Sequence, residues 1–281
     1  MLTRRQFTVA MAAATKRPIS AVIIDGRHNH DWRETTPQLR QILVEANFSV
    51  DVATAPPDPS GLAAFRPSLA AYDVVVLNYT DFGNGGLWSP ALESDFVEFV
   101  SRGGGVVIVH AASSAFPHWS QFNEIIGLGG WGGRDETSGP FLYFRDGVII
   151  RDPSPRKGGH HGRQHAFVVT ARTPEHPIMR GLPTKWRHGV DELFDTLRGP
   201  AKRLEVLATA WSDPATGGSG RHEPALFTVR YQEGRTYHTV LGHSVSAMRS
   251  PGFAATLQRG TEWAATGRVT QPSRTDIEAV A

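Results

Sequence analysis

Four apolar residues, Val106-Val107-Ile108-Val109, lie between a glycine triplet, Gly103 to Gly105, and a histidine, His110. A helical periodicity (Leu92, Phe96, Phe99, Val100) precedes the glycines, and the small residues Ala111-Ala112-Ser113-Ser114 follow the histidine. The order reads as helix, glycine stop, buried parallel strand, then a histidine at the strand's carboxyl end. Ligands of open α/β sheets bind beyond the carboxyl ends of the strands. A titratable side chain placed there points to chemistry or recognition; its plainer role would be a hydrogen bond to loop backbone.

The flanking chain repeats the pattern. Residues 19–24 are apolar and partly β-branched and end at Asp25-Gly26, a first strand. Thr36-Pro37 reads as the cap and first residue of a helix whose face carries Leu39, Ile42, Leu43 and Ala46. Residues 48–53 and 72–79 form the next strands, and Ser89-Pro90 opens the helix before the glycine triplet. Such alternation specifies a parallel sheet with right-handed crossovers. Further strands are expected at 166–170, 204–211, 225–231 and 236–241, and a last helix over 251–265 with Gly267 as its stop.

Two glycine-rich segments, 127–133 and 158–162, interrupt this regularity, and long loops in compact domains are usually functional or disordered. Loops 127–139 and 157–165 are expected to cover the pocket. The chain has no internal repeat. It reads as one domain over 18–268, with a tail at 269–281. Residues 1–17 contain Thr3-Arg4-Arg5-Gln6-Phe7, similar to a degenerate twin-arginine export signal or else a disordered start. A functional signal would place the protein outside the cytoplasm or in the periplasm; otherwise it is cytoplasmic.

With 281 residues, 40% of them hydrophobic, the chain can bury a full core. Lys and Arg total 29 against 27 Asp and Glu, which gives no electrostatic case for nucleic acid. No apolar stretch approaches the roughly 20 residues of a membrane span. The absence of cysteine excludes disulfides, thiolate metal sites and a cysteine nucleophile, so acid/base or metal chemistry must use His, Asp and Glu. No Gly-x-Ser-x-Gly elbow, Walker loop or dinucleotide glycine fingerprint occurs.

Polar residues cluster at expected strand ends. Leu241-Gly242-His243 mirrors His110, and Asp25 is followed by His28-Asn29-His30-Asp31-Trp32. His188 precedes Asp191-Glu192, His160-His161-Gly162 and His165 flank a glycine loop, and Arg221-His222-Glu223 leads into a strand. Each has a structural alternative, as turn residue, helix cap, exposed loop or surface ion pair. Their convergence on one rim favours a site.

The segments 25–37, 103–112, 126–134 (Ile-Gly-Leu-Gly-Gly-Trp-Gly-Gly-Arg), 176–183, 191–193, 241–243 and 260–263 together resemble the trehalose-utilisation (ThuA-like) family, related to the class I glutamine amidotransferase fold. The resemblance covers about 19–267. It implies a flavodoxin-like three-layer α/β sandwich with a mostly parallel central sheet and long glycine-rich loops. It also implies a link to disaccharide or 3-keto-sugar catabolism. True amidotransferases carry a cysteine nucleophile at the position matching His110, so thiolate-driven glutamine hydrolysis is excluded here.

The leading expectation is an enzyme acting on a glycoside or 3-keto-glycoside by hydrolysis or elimination. His110 and His243 would be the general acid/base, with Glu192 as a third catalytic group. His30, Asp31, Trp32, Trp131, Arg134, His161, Arg163, His188, Asp191, Arg221 and Glu223 would bind the sugar through hydroxyl hydrogen bonds and aromatic stacking. Two other readings stay open. One is a non-catalytic sugar-binding or regulatory protein on an amidotransferase-like scaffold. The other is a metal-dependent hydrolase in which His30, His110 and His243 hold zinc or manganese. The expected partner is a small carbohydrate, and a homodimer is left open.

Overall fold

The computed structural model describes residues 17–81 and 88–280. Apart from Arg17, the twin-arginine-like start lies outside the described residues. The apolar runs form the strands that the pattern requires. β1 (Ser20–Asp25), α1 (Trp32–Glu45), β2 (Ser49–Thr54), α2 (Pro59–Ala64), β3 (Val74–Leu77), α3 (Pro90–Ser101) and β4 (Gly105–Val109) alternate as strand and helix. α4 (Ser120–Ile126), β5 (Phe141–Arg145), β6 (Val148–Asp152) and β7 (His160–His161) follow, then β8 (His165–Ala171), β9 (Lys185–Asp191), β10 (Phe194–Asp195), β11 (Leu204–Ser212), β12 (Arg221–Tyr231), β13 (Gly234–Thr239), α5 (Val245–Met248) and α6 (Pro251–Thr266).

The main sheet runs β2-β1-β3-β4-β13-β12-β11-β8-β9. Its first five strands are parallel. From β13 onward every pairing is antiparallel. Helices pack on both faces, giving a flavodoxin-like α/β sandwich. Because strand side chains alternate faces, Ile23, Val76 and Val107 meet one buried cluster with Leu39, Phe253 and Leu257. Val22, Val75 and Val106 meet the other, with Leu92, Phe96 and Phe122. Each fully buried aliphatic side chain contributes roughly 1.5–3 kcal/mol.

α1 begins five residues earlier than its proline suggested. Asp31 is the N-cap, its carboxylate accepting from Arg33 N, and Pro37 lies inside the helix. The hydroxyl of Thr36 is not free to cap: it and Thr35 both accept from the buried Asn78 amide at 3.0 Å. The α3 cap is as expected, with Ser89 accepting from Leu92 N. The β5–β6 hairpin was legible but overlooked. Asp146 and Gly147, with φ 51° and 85°, form the two-residue turn that Asp-Gly favours. The last residues do not trail away: Glu278 and Val280 exchange backbone hydrogen bonds with Arg187 and Lys185 at the edge of β9.

α6 lies against β13 and β4 because small residues let the backbones approach. A Cβ on Gly105 would stand 2.6 Å from the Ala264 carbonyl carbon. Gly105→Ala should therefore push α6 off the sheet and cost about 1–3 kcal/mol. Urea unfolding checks this, and an unchanged midpoint would mean the helix seats elsewhere.

Candidate functional site

β4 and β13 are adjacent and parallel, so the residues after them share one rim. His110 follows β4 directly in the left-handed region at φ 47°, a strained turn for a residue with a Cβ. Its imidazole is buried and stacks on Phe194, with ring centroids 4.0 Å apart. Nδ1 lies 2.7 Å from the Val240 carbonyl in the turn after β13. A carbonyl only accepts, so Nδ1 donates to it and Nε2 faces the site. That Nε2 has no hydrogen-bond partner.

Glu192 stands at the centre. Its Oε2 lies 3.5 Å from His110 Nε2 and 3.7 Å from His30 Nε2. Its Oε1 lies 3.5 Å from His161 Nδ1 and 3.9 Å from His243 Nε2. The ring centroids of His30 stand 4.4 Å from His243, 4.9 Å from His110 and 5.1 Å from His28. Four chain segments distant in sequence thus converge on one carboxylate. Burial, reinforced by the neighbouring His110 and His243, pushes His30 down to about 3. The same causes lower His28 and His243, so these imidazoles are neutral at physiological pH. Burial opposes ionisation of Glu192, but the facing His110, His161 and His243 outweigh it and hold the carboxyl below its usual range.

Asp191 positions this centre. Fully buried, it accepts from Gly242 N at 2.8 Å, His243 N at 3.0 Å, Glu192 N at 2.8 Å and His188 Nε2 at 2.8 Å. One carboxylate therefore ties the end of β9 to the turn that carries His243.

Both glycine-rich loops border the site. Trp131 N donates to Gly158 O, and a Cβ on Gly159 would strike Trp131 N. Glycine there lets the loops touch. Trp131 meets Phe194 edge-on with centroids 4.6 Å apart and lies 6.1 Å from His161. On the other side, Trp32, His28 and Asn29 line a hollow of about 400 Å³.

Other expected contacts lie elsewhere. Arg134 is buried, and its guanidinium is spent on Ser114 O, Ala115 O, Gly130 O and Asn123 Oδ1. It holds the loop instead of a sugar. His188 and Asp191 are likewise fully buried, behind Glu192. Glu223 is buried, pushed up to about 7 mainly by burial, and accepts from Ser219 Oγ. Arg221 lies over the Tyr143 ring, 3.7 Å from Asp152. Arg163 reaches Ala215 O, and Asp31 caps α1. Sequence reasoning missed Phe194, which backs His110, and Gln164, whose amide lies 3.3 Å from His243 Nε2. Neither carries a local signal. His28 stood in the His-Asn-His run and was readable.

The fold and the rim define an α/β protein with a histidine–carboxylate centre at its strand ends. Residues 21–264 match the model of the ThuA family, described as trehalose utilisation, and the chain belongs to that family. It is similar to a ThuA-like protein from Parabacteroides merdae, with 45% identity over 93% of this chain and 95% of that one and a TM-score of 0.89. A ThuA-like protein from Bacteroides uniformis shares the fold at 18% identity, over 92% of this chain and 96% of that one, with a TM-score of 0.59. No curated protein matches the chain. The family description ties the chain to carbohydrate metabolism. No helix among the described residues is long and apolar enough to cross a membrane.

Asp191→Asn keeps the shape of the clamp but loses its charge, and should cost about 1–3 kcal/mol at neutral pH. Burial opposes ionisation of Asp191, but the His188 hydrogen bond and further donors outweigh it and keep the carboxyl below 3.8. Near and below 3.8 the unfolded chain then binds more protons at this site. The stabilisation is present above that value and fades as pH falls through the lower folded value. Urea titrations from pH 7 to 3 should show the gap between wild type and variant closing at the acid end; equal midpoints at pH 7 refute the clamp.

Proposed function

We propose that this protein is a carbohydrate enzyme that cleaves a glycoside or a 3-keto-glycoside, by hydrolysis or elimination, at the Glu192 centre. The observation that carries the reading is an ionised carboxylate ringed by imidazoles at the strand ends, flanked by tryptophans suited to sugar faces. His243 is the proton acceptor. It is only partly exposed and free of a proton at neutral pH. In a 3-keto-glycoside the hydrogen on C2 is acidified by the neighbouring carbonyl. His243 takes that proton, the C2–H electrons form the C1–C2 double bond, and the C1–O bond breaks with its electron pair leaving on the aglycone oxygen. His161, exposed at the mouth and 3.5 Å from Glu192, returns a proton to that oxygen. Glu192 holds the imidazoles in place and stabilises them while they are charged. Positioned acid/base groups of this kind supply about 10²–10⁴-fold in rate.

Turnover of a 3-keto-glycoside and glycoside panel tests the proposal. His243→Ala should lower kcat by about 10²–10⁴-fold and leave the melting temperature nearly unchanged. His110→Ala should lower turnover and also cost about 1–3 kcal/mol, because Val240 O loses its buried donor. In the wild type, activity should persist below pH 6.5, the ordinary histidine value, before it falls, because His243 gives up its proton more readily than usual. Sugar binding without turnover by the wild type would leave a binding protein, and unchanged activity per folded His243→Ala molecule would remove the acid/base role.

A further inference from the structure

We propose that His30, His110 and Glu192 bind one divalent first-row transition ion, of the zinc or manganese class, leaving open coordination positions that face His243 and His161. The inference rests on the Glu192 centre being the working site, and it adds the ion that the centre is built to hold.

Three observations support it. First, one donor atom from each of His30, His110 and Glu192 lies within 4.8 Å of the other two, the only such group among the described residues. Two edges of the triangle are 3.5 Å and 3.7 Å. These are too long for good hydrogen bonds. They suit donors sharing an ion: tetrahedral bonds of about 2.0–2.1 Å place ligand atoms roughly 3.3 Å apart. Second, the inward nitrogen of His110 is buried without a partner, on a side chain only 2% exposed. An unpaired buried polar atom costs about 1–3 kcal/mol, and a cation bound there would satisfy it. Third, the support behind the donors is of the kind that metal sites use. His110 gives its other N–H to a backbone carbonyl, which fixes the ring and the tautomer. Glu192 is held from behind through its own backbone N–H by Asp191.

The donor set is chemically selective. Imidazole and carboxylate suit zinc, manganese and iron, whereas calcium and magnesium prefer oxygen alone. Two histidines and one glutamate leave positions for water or a sugar oxygen, as catalytic sites require. His243 Nε2, 3.9 Å from Glu192, stands beside the triangle, placed to exchange protons with a group in an open position.

The test uses the purified full chain, stripped with a chelator, desalted, and titrated with zinc, manganese and cobalt. The expected result is one ion per chain by elemental analysis after gel filtration, a raised melting temperature, and visible cobalt absorption typical of nitrogen and oxygen ligands. Glu192→Gln and His30→Ala should weaken binding by more than the roughly 10–100-fold that loss of an outer-shell partner costs. His30 is half-buried and Glu192 buried at the rim, and circular dichroism confirms that each variant is folded. His165→Ala, outside the cluster, should bind as wild type. Failure of the folded wild type to retain any of the three ions overturns the inference, as does binding that survives both variants. Protein that retains none of the ions and still turns over a sugar overturns the metal site and keeps the function, whereas one bound ion per chain without sugar turnover keeps the site and removes the function.

Discussion

The buried carboxylate of Asp191 is the constraint on which the rim depends. The parallel and antiparallel halves of the sheet meet at β13, and the chain leaving β13 must be held against the chain leaving β9. Asp191 does this with four donors, two from Gly242 and His243, one from His188 and one from the next residue's backbone. A buried charge is costly unless such donors surround it. Once they do, the direction of the following residue is set, and Glu192 projects into the space between four histidines.

That space has an unusual electrostatic balance. Imidazoles this close repel one another when protonated, and burial adds to the penalty, so His28, His30 and His243 are all shifted toward the neutral form. His110, His161 and His243 in turn favour the charged form of Glu192. The result is a carboxylate among several imidazole nitrogens, a set suited to exchanging protons or holding a cation. The apolar backing by Phe194 and Trp131 screens the interior side from water.

The glycine-rich loops are ordered by a different buried charge. Arg134 is lowered to about 10, mainly by burial, and so stays cationic at neutral pH. Its guanidinium gathers the carbonyls of Ser114, Ala115 and Gly130. This ties the turn after His110 to the loop bearing Trp131. An arginine in a glycine-rich loop reads as a ligand contact from sequence, yet here it replaces the secondary structure that glycine cannot form by itself.

Much of the fold was legible because it rests on local physics. The apolar runs ending at Asp25 and His110, the Ser89-Pro90 cap and the glycine stops determine strand, helix and boundary within a few residues of chain. They also place His110 and His243 on one rim, since parallel neighbours share their carboxyl ends. What the chain could not reveal by itself is which polar residues face inward together. Glu192 and Asp191 are adjacent in sequence, but only the packing of β9 against the turn after β13 makes one the centre and the other its buried support. His30 and His161 reach the same carboxylate from segments about 130 residues apart in chain order, on loops without periodicity. Arg134, His188 and Glu223 look identical in sequence to binding residues and are buried in the structure. Local patterns encode backbone conformation and burial of apolar faces, whereas the partners of a polar group are set by long-range contacts, and those exist only once the sheet has assembled.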